Sequence, residues 1–306
     1  MSNDAPPVAT FEIDSVHVGA RFSVTVTLPP GYAAMDECPV LYVTDGNSNG
    51  PLAASQGMSL VGDPLQPLHP FILVAVGHAV ADDNRSLILR NRDFIPPGEP
   101  FPDVLEGYID LLVQAQMFST DDLEEFLNNA RDGHADAFLR FLEEEVHPEV
   151  QRRYRVAERG TGLFGSSYGG LFTLYALAAG SELFDKYGAS SPGILVDESR
   201  VFALYDELVA RDDPERNRFL HVAINDMEMF GVVELYRRLG AGTLRFVDRV
   251  RKNPLPGLSL RTHVVIGENH GTGVVDAYRD FVRHAFAIHD YRPPLSQQHP
   301  VTFVLS

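Results

Sequence analysis

A short serine segment flanked by glycines is the part of the sequence whose residue types and spacing point most directly to chemistry. Residues 165–169 read GSSYG and fit the pattern G-x-S-x-G, with Ser167 at the centre. A nucleophilic serine on a sharp turn between a strand and a helix has strained backbone angles, and a Cβ at either flanking glycine would clash there. The pattern predicts Ser167 as a nucleophile; the alternative is an ordinary tight turn.

A serine nucleophile requires a general base and an acid that orients it, with the acid preceding the histidine in the chain. His270 lies in a glycine-rich loop, just past a strand and before the last helix, and is the best candidate base. The acid should follow the strand at 219–224. Asp226 stands directly at that strand exit and is preferred, with Glu228 two residues further on as the competitor. Each of the three has a plain alternative as a loop side chain with no chemical role.

Acyl chemistry also requires two backbone N–H groups that point at the developing oxyanion. One normally belongs to the residue after the nucleophile, which is Tyr168 here. The other comes from the loop after an early central strand. That loop is 44–47, and its position nominates the N–H of Asn47.

The elements that must position these residues alternate along the chain. Alternating or continuous apolar runs predict strands, and 3.6-residue periodicity predicts helices. The strands fall near 11–16, 21–28, 39–44, 71–77, 161–164, 219–224 and 262–266, and the helices near 134–147, 169–179, 230–239 and 274–288. This alternation predicts the α/β class with a mostly parallel central sheet and helices on both faces. We expect one domain over 1–306, with 97–133 as a possible cap inserted within it.

Composition excludes several classes of protein. The 306 residues carry 25 Lys and Arg against 42 Asp and Glu, a net charge of −17 that disfavours nucleic acid and anionic membrane surfaces. A single cysteine, Cys38, rules out disulfides within the chain and argues against a cysteine-based zinc site. The sequence shows neither a signal-peptide pattern nor an apolar run long enough to span a membrane, so the cytoplasm is the expected compartment.

Two further motifs suggest functions other than catalysis by a serine nucleophile. Residues 160–165 match the dinucleotide-binding pattern G-x-G-x-x-G, but the stretch before them is a poor strand. Residues 45–50 look like the first half of an EF-hand loop, but Gln56 stands where the bidentate glutamate belongs. We therefore expect neither a cofactor nor a metal.

Several segments together resemble the putative esterase family of the α/β-hydrolase superfamily, which includes enterochelin-esterase-like enzymes, S-formylglutathione hydrolases, feruloyl esterases and the antigen 85 mycolyltransferases. The resemblance covers most of the chain. Its segments are 28–32 (LPPGY), 39–46 (PVLYVTDG), 90–96 (RNRDFIP), 135–148 (ADAFLRFLEEEVHP), 164–170 (FGSSYGG) and 188–192 (GASSP).

The resemblance implies an α/β-hydrolase fold and a serine esterase that cleaves a small-molecule carboxylic ester through an acyl-enzyme. It implies Ser167 as nucleophile, Asp226 as acid, His270 as base and Asn47 as an oxyanion donor. It also places an arginine, Arg90 or Arg92, near the substrate to meet an anionic group; the alternative is a structural ion pair with Asp93.

The same resemblance leaves other activities open. An acyltransferase or an S-formylglutathione-type thioesterase would use the same triad, and a non-catalytic binding protein could share the scaffold. The tryptophan-rich segment with which siderophore esterases meet catechol rings reads GIL at 193–195 here, and the chain has no Trp, which argues against a catecholate substrate. Phe101, Leu112, Met117 and Phe118 are candidates to line a site under the cap, but packing in the core is the commoner role for such side chains. Either a monomer or a homo-oligomer fits the sequence.

Overall fold

A computed structural model describes residues 8–63, 65–114, 119–211 and 216–288. These residues form one eight-stranded sheet, in the order β1-β2-β4-β3-β5-β6-β7-β8. The first two strands pair antiparallel, and all pairs from β4 across to β8 are parallel. The strands are β1 Val8–Asp14, β2 Arg21–Thr27, β3 Val40–Val43, β4 Ile72–His78, β5 Gly162–Ser166, β6 Lys186–Ser190, β7 Arg218–Asn225 and β8 Leu258–Val265.

Helices cover both faces of this sheet, and the predicted α/β class is confirmed. They are α1 Gly46–Val61, α2 Ser86–Phe94, α3 Val104–Gln114, α4 Thr120–Arg131, α5 Ala135–Arg140, α6 His147–Arg153, α7 Tyr168–Ala178, α8 Arg200–Arg211, α9 Asp226–Phe230, α10 Glu234–Lys252 and α11 Val274–Ala285. A π-helical turn, Phe141–Val146, joins α5 to α6 into one continuous helical segment. No helix of the described residues is long and apolar enough to cross a membrane.

Burial explains why the central strands read as continuous apolar runs. Every residue of β3 and β4 is buried, because helices pack on both sides of the sheet. Helix α7, which follows the serine segment, is buried along its whole length and so shows no amphipathic stripe. The serine segment is therefore held between a buried strand and a buried helix.

Helices α1 and α8 are among those with no counterpart in the sequence predictions, and α10 is longer than predicted. Helix α1 begins with Gly, Asn and Ser and contains Pro51, all weak helix signals, and it packs against β4. Helix α8 is amphipathic and packs against α7. Helix α10 extends to Lys252, whereas the predicted helix ends near 239.

One ion-pair cluster links the last helix to the two strands that precede the acid and histidine loops. Asp280 on α11 accepts two hydrogen bonds from Arg261 on β8, at 2.8 and 2.9 Å, and lies 2.8 Å from Nε2 of the fully buried His221 on β7. Burial raises the pKa of the Asp280 carboxyl, but the hydrogen bonds from His221 and Arg261 outweigh it and hold the pKa well below its usual range. The carboxylate therefore stays ionised and stabilises the fold.

We expect Asp280→Asn to lower the free energy of unfolding by about 2 kcal/mol, because it removes the charged acceptor shared by the buried His221 and the Arg261 guanidinium. Urea denaturation near neutral pH measures the change, with Asp276→Asn, a partly exposed position on the same helix, as the matched control. A carboxyl whose pKa is lower in the folded than in the unfolded protein stabilises the fold at pH values above its unfolded pKa. That stabilisation is lost progressively as the pH falls below the unfolded pKa. The gap between wild type and Asp280→Asn should therefore narrow as the pH falls below about 4. An equal loss in both variants would contradict the assignment.

Candidate active site

Ser167 occupies a strained turn between β5 and α7. Its backbone has φ 59° and ψ −124°, a combination that costs of order 1–3 kcal/mol for a residue with a Cβ. The turn is held by Ser167 N–H donating to the Ser190 carbonyl (3.0 Å) and Leu171 N–H donating to the Ser167 carbonyl (2.9 Å). A Cβ on Gly165 would lie 2.1 Å from the Gly169 carbonyl oxygen, so the flanking glycine is a steric requirement. Ser167 therefore stands on the kind of turn that its sequence pattern predicts.

His270 is paired with a fully buried carboxylate. Its Nδ1 lies 2.7 Å from Oε1 of Glu228, whose side chain is inaccessible to solvent. The second oxygen, Oε2, accepts hydrogen bonds from the Asn225 N–H (2.9 Å) and from Ser191 Oγ (2.7 Å). Both carboxylate oxygens are thus satisfied by named donors, and the carboxylate is fixed in one orientation.

The charge state of Glu228 follows from the same contacts. Burial raises the pKa of the carboxyl, but the hydrogen bonds from His270, Asn225 and Ser191 lower it further than burial raises it. The pKa is below its ordinary value, so the group is an ionised acceptor at neutral pH. An ionised carboxylate can only accept a hydrogen bond, so Nδ1 of His270 carries a proton, and in the neutral imidazole Nε2 presents a lone pair.

The preference for Asp226 as the partner of His270 is corrected by this geometry. Both oxygens of Asp226 accept from the Gly267 N–H, each at 3.1 Å, so Asp226 ties the acid loop to the histidine loop without contacting the imidazole. Asn225 caps α9 in a capping box, and the N3 residue of such a box turns its side chain back toward the cap. That residue is Glu228. The N-x-x-E spacing at 225–228 was the sequence signal available for it.

Two further residues support the histidine and its acid and were missed by sequence reasoning. Tyr236 on α10 stacks on the imidazole of His270, with ring centroids 5.0 Å apart and planes 20° apart. Ser191 donates to Glu228 and itself accepts from Asn225 Nδ2 at 2.9 Å. Tyr236 is distant in sequence from the loop it serves, and no local pattern marks it.

Backbone strain clusters around these residues. Among the described residues, the non-glycine positions with positive φ are Asp45 (53°), Ser167 (59°) and Ser191 (42°). Asp45 precedes the first turn of α1, Ser167 precedes α7, and Ser191 contacts Glu228. Such strain persists where the surrounding contacts over-determine the backbone, and it concentrates at functional sites.

The two residues predicted to stabilise the oxyanion lie in the first turns of α1 and α7. These helices follow β3 and β5, which are neighbours in the sheet. Tyr168 is the first residue of α7 and lines the cavity next to Ser167. Asn47 is the second residue of α1, and its side chain turns toward β4, where Nδ2 donates to the His78 carbonyl at 3.0 Å. The first-turn N–H groups of a helix have no partner within the helix. Tyr168 lines the cavity, whereas near Asn47 it is the neighbouring Asp45, Ser48 and Asn49 that do.

Ser167 and His270 line one cavity of about 350 Å³. Its wall is mostly apolar and draws on α3, α4 and α10, with side chains that include Leu105, Tyr108, Phe126, Leu195, Leu235 and Leu239. Of the candidate lining residues, Phe101 instead packs against the Arg131 guanidinium, 4.7 Å from the ring centre. The Leu112 side chain and residues Met117 and Phe118 lie outside the described residues. The span 97–133 thus does contribute to the cavity wall, through Leu105, Tyr108 and Phe126.

The two candidate arginines have different surroundings. Arg92 is paired with the buried Asp93 at 2.7 Å, which is the structural alternative considered for it. Arg90 lines the cavity but donates to both oxygens of Asp45, at 2.7 and 2.9 Å, and to the Ser166 carbonyl at 3.2 Å. Within the described ranges, no group of three or more His, Cys, Asp or Glu side chains is placed to hold a metal ion.

Comparison with known proteins matches part of the chain to one family. Residues 116–225 match the family model described as putative esterase. The resemblance to that family is confirmed. The matched span contains Ser167 and ends at Asn225, the residue that caps the acid-bearing helix.

Two relatives extend this likeness in sequence. The chain is 28% identical over 183 residues to the ferri-bacillibactin esterase BesA of Bacillus subtilis, covering 60% of this chain and 55% of that protein. It is 31% identical over 157 residues to the siderophore triacetylfusarinine C esterase of Aspergillus fumigatus, covering 51% of this chain and 44% of that protein. The chain thus spans about half the length of these relatives.

Two solved structures share this fold over nearly the whole chain. The BES protein of Bacillus cereus superposes with a TM-score of 0.74 at 20% identity, covering 94% of this chain and 96% of that one. An IroE-like serine hydrolase of Shewanella oneidensis gives a TM-score of 0.71 over 92% of this chain and 80% of that one, at 23% identity. The predicted α/β-hydrolase fold is therefore confirmed.

Proposed function

We propose that this chain is a serine esterase that hydrolyses a carboxylic ester through Ser167, His270 and Glu228. The observation that carries the proposal is the pairing of the buried Glu228 with His270, which lines the same cavity as Ser167 on its strained turn. The order of these residues in the chain, after β5, β7 and β8, brings all three to the carboxyl edge of one sheet, where ligands bind in open α/β folds.

Acylation starts with the Ser167 hydroxyl. Its Oγ attacks the ester carbonyl carbon while Nε2 of His270 takes the hydroxyl proton. The tetrahedral intermediate collapses, the bond from the carbonyl carbon to the alcohol oxygen breaks, and His270 returns the proton to the departing alcohol. Water then repeats the sequence on the acyl-serine, which releases the carboxylic acid and restores Ser167.

Glu228 orients and stabilises the base. Because it accepts from Nδ1, it keeps Nε2 free to receive the serine proton, and its negative charge stabilises the imidazolium formed in each half-reaction. The hydrogen bonds from Ser191 and Asn225 hold the carboxylate ionised and in place. The stacked Tyr236 ring limits rotation of the imidazole.

The oxyanion formed at the carbonyl oxygen is assigned to the backbone N–H groups of Tyr168 and Asn47. Both belong to first turns of helices, whose dipoles favour negative charge. Preorganised backbone donors require no rearrangement as charge develops.

The relatives guide the substrate class. The two relatives described above are named as siderophore esterases, and we propose that this chain cleaves an ester of a comparable small molecule. We further propose one domain over the whole chain, with 97–133 as its cap, since α3 and α4 lie in that span and contribute Leu105, Tyr108 and Phe126 to the cavity wall.

A fluorophosphonate probe tests the proposal without knowledge of the natural ester. We expect one covalent adduct per chain, which peptide mass spectrometry should locate on Ser167 and not on its neighbour Ser166. Turnover of a series of p-nitrophenyl esters should be lost in step with labelling. Labelling elsewhere, or an unlabelled protein that still turns over esters, would reject Ser167 as nucleophile.

A further inference from the structure

The cavity contains a cation that another side chain has already neutralised. Arg90 carries the permanent positive charge among the described residues that line the cavity, and both oxygens of Asp45 accept from it, at 2.7 and 2.9 Å. The planar fork of a guanidinium matches a carboxylate in this two-point geometry, which is stronger and more specific than a single contact. The Nε and Nη2 edge of Arg90 is therefore occupied, and its charge is balanced by Asp45.

Other contacts hold Arg90 in this position. Its Nη2 also donates to the Ser166 carbonyl at 3.2 Å, and its guanidinium lies 5.3 Å from the ring centre of Phe94 and 5.8 Å from that of Tyr168. The Arg90 and Asp45 side chains are only 11% and 13% exposed, so water screens their attraction poorly. Burial opposes the charge on Arg90, but Asp45 outweighs burial and raises the pKa of the guanidinium.

The backbone explains how Asp45 reaches the arginine. Asp45 precedes α1 with a left-handed φ of 53°, and its carbonyl accepts from the Ser48 and Asn49 N–H groups at 3.0 and 2.8 Å. Its side chain makes no cap to the helix and is free to turn to Arg90. The pair thus joins the turn that holds Asn47 to the last residue of β5, immediately before Ser167.

We propose that Asp45 is a specificity-determining residue that neutralises Arg90, so that the cavity selects uncharged esters over anionic ones. This inference rests on the proposed esterase function and narrows its substrate class. The mostly apolar wall favours the same outcome, because an anion placed there would lose its hydration without gaining a free cation. The net charge of −17 also repels an approaching anion over longer distances.

A matched set of activated esters tests the selectivity of the wild type. p-Nitrophenyl hexanoate is compared with the mono-p-nitrophenyl ester of adipic acid, which has the same chain length and ends in a carboxylate. The methyl ester of the latter controls for polarity without charge. We expect kcat/KM to be at least about tenfold higher for the two uncharged esters than for the anion, a difference of about 1.4 kcal/mol. Equal or faster hydrolysis of the anion would overturn the inference.

The substitution Asp45→Asn isolates the role of the carboxylate. Asparagine tolerates the left-handed backbone and keeps one acceptor for Arg90, so the turn is retained while the charge is removed. We expect the ratio of kcat/KM for the anionic and uncharged esters to rise at least about fivefold, and the rise to shrink in about 0.5 M NaCl. The ratio is the readout because a general loss of activity cancels from it. An unchanged ratio in a folded variant would contradict the proposal.

Failure of this inference is distinguishable from failure of the esterase proposal. If Ser167 is labelled and the uncharged esters turn over, the esterase proposal stands, and only the charge preference is at issue. If no ester turns over and no label is incorporated, the esterase proposal fails and the selectivity inference fails with it. Should Asp45→Asn not fold, the wild-type ratio alone still supports or overturns the inference.

Discussion

Ser167→Ala should lower kcat/KM for p-nitrophenyl esters by at least about a thousandfold while the protein stays folded. Removal of Oγ abolishes the covalent route, and only oxyanion stabilisation and binding remain. Alanine is smaller than serine and still has to adopt φ 59°, so the fold should change little. Steady-state kinetics with circular dichroism measures both properties.

A second serine provides the control for that experiment. Ser59 lies exposed on α1, where its Oγ donates to the Ser55 carbonyl at 2.9 Å, and Ser59→Ala should retain wild-type activity. If Ser167→Ala turned over esters as fast as Ser59→Ala, the strained turn would have a structural role and the nucleophile would have to be another group.

Glu228→Gln should lower kcat by roughly a thousandfold to ten-thousandfold. The amide keeps the size of the side chain but removes the charge that stabilises the imidazolium. The amide NH₂ group also replaces one of the two carboxylate oxygens and cannot accept a hydrogen bond there. Depending on the amide orientation, either His270 loses the acceptor that fixes its tautomer or Asn225 loses the acceptor of its N–H. KM should change much less than kcat, because Glu228 is absent from the cavity wall and acts through His270.

The neighbouring acid provides the matched control. Asp226→Asn removes one charge two residues away but keeps an acceptor for the Gly267 N–H, so kcat should stay within about threefold of the wild type. The pH dependence of kcat separates the roles further, because only Glu228→Gln should shift the profile of the histidine. If Asp226→Asn caused the larger loss, the acid assignment would return to Asp226 despite its distance from the imidazole.

The fold could be predicted because its signals are local. Continuous apolar runs at 39–44 and 71–77 correspond to β3 and β4. The glycines in 165–169 are required because a Cβ at Gly165 would clash where β5 turns into α7. Helix α1 escaped prediction because Gly, Asn, Ser and Pro are weak helix formers. Its stability comes from packing against β4, which the local sequence does not display.

The choice between the two acids shows where local reasoning stops. Proximity to the strand end favoured Asp226, but a capping box directs the side chain three residues beyond the cap back toward the helix start. The same turn sends Asp226 to the Gly267 N–H. One residue of helical rotation is about 100°, so neighbouring positions in a first turn face different partners.

The sequence by itself determined the α/β class, the strained serine turn and the histidine loop, because each depends on residues close together in the chain. The tertiary structure decided which carboxylate meets His270, that Tyr236 stacks on it, and that Asp45 neutralises Arg90. Those contacts join elements separated by tens of residues. Their geometry is set by how strands and helices pack, since a side chain's partners depend on the direction it takes from an element and not on its position in the sequence.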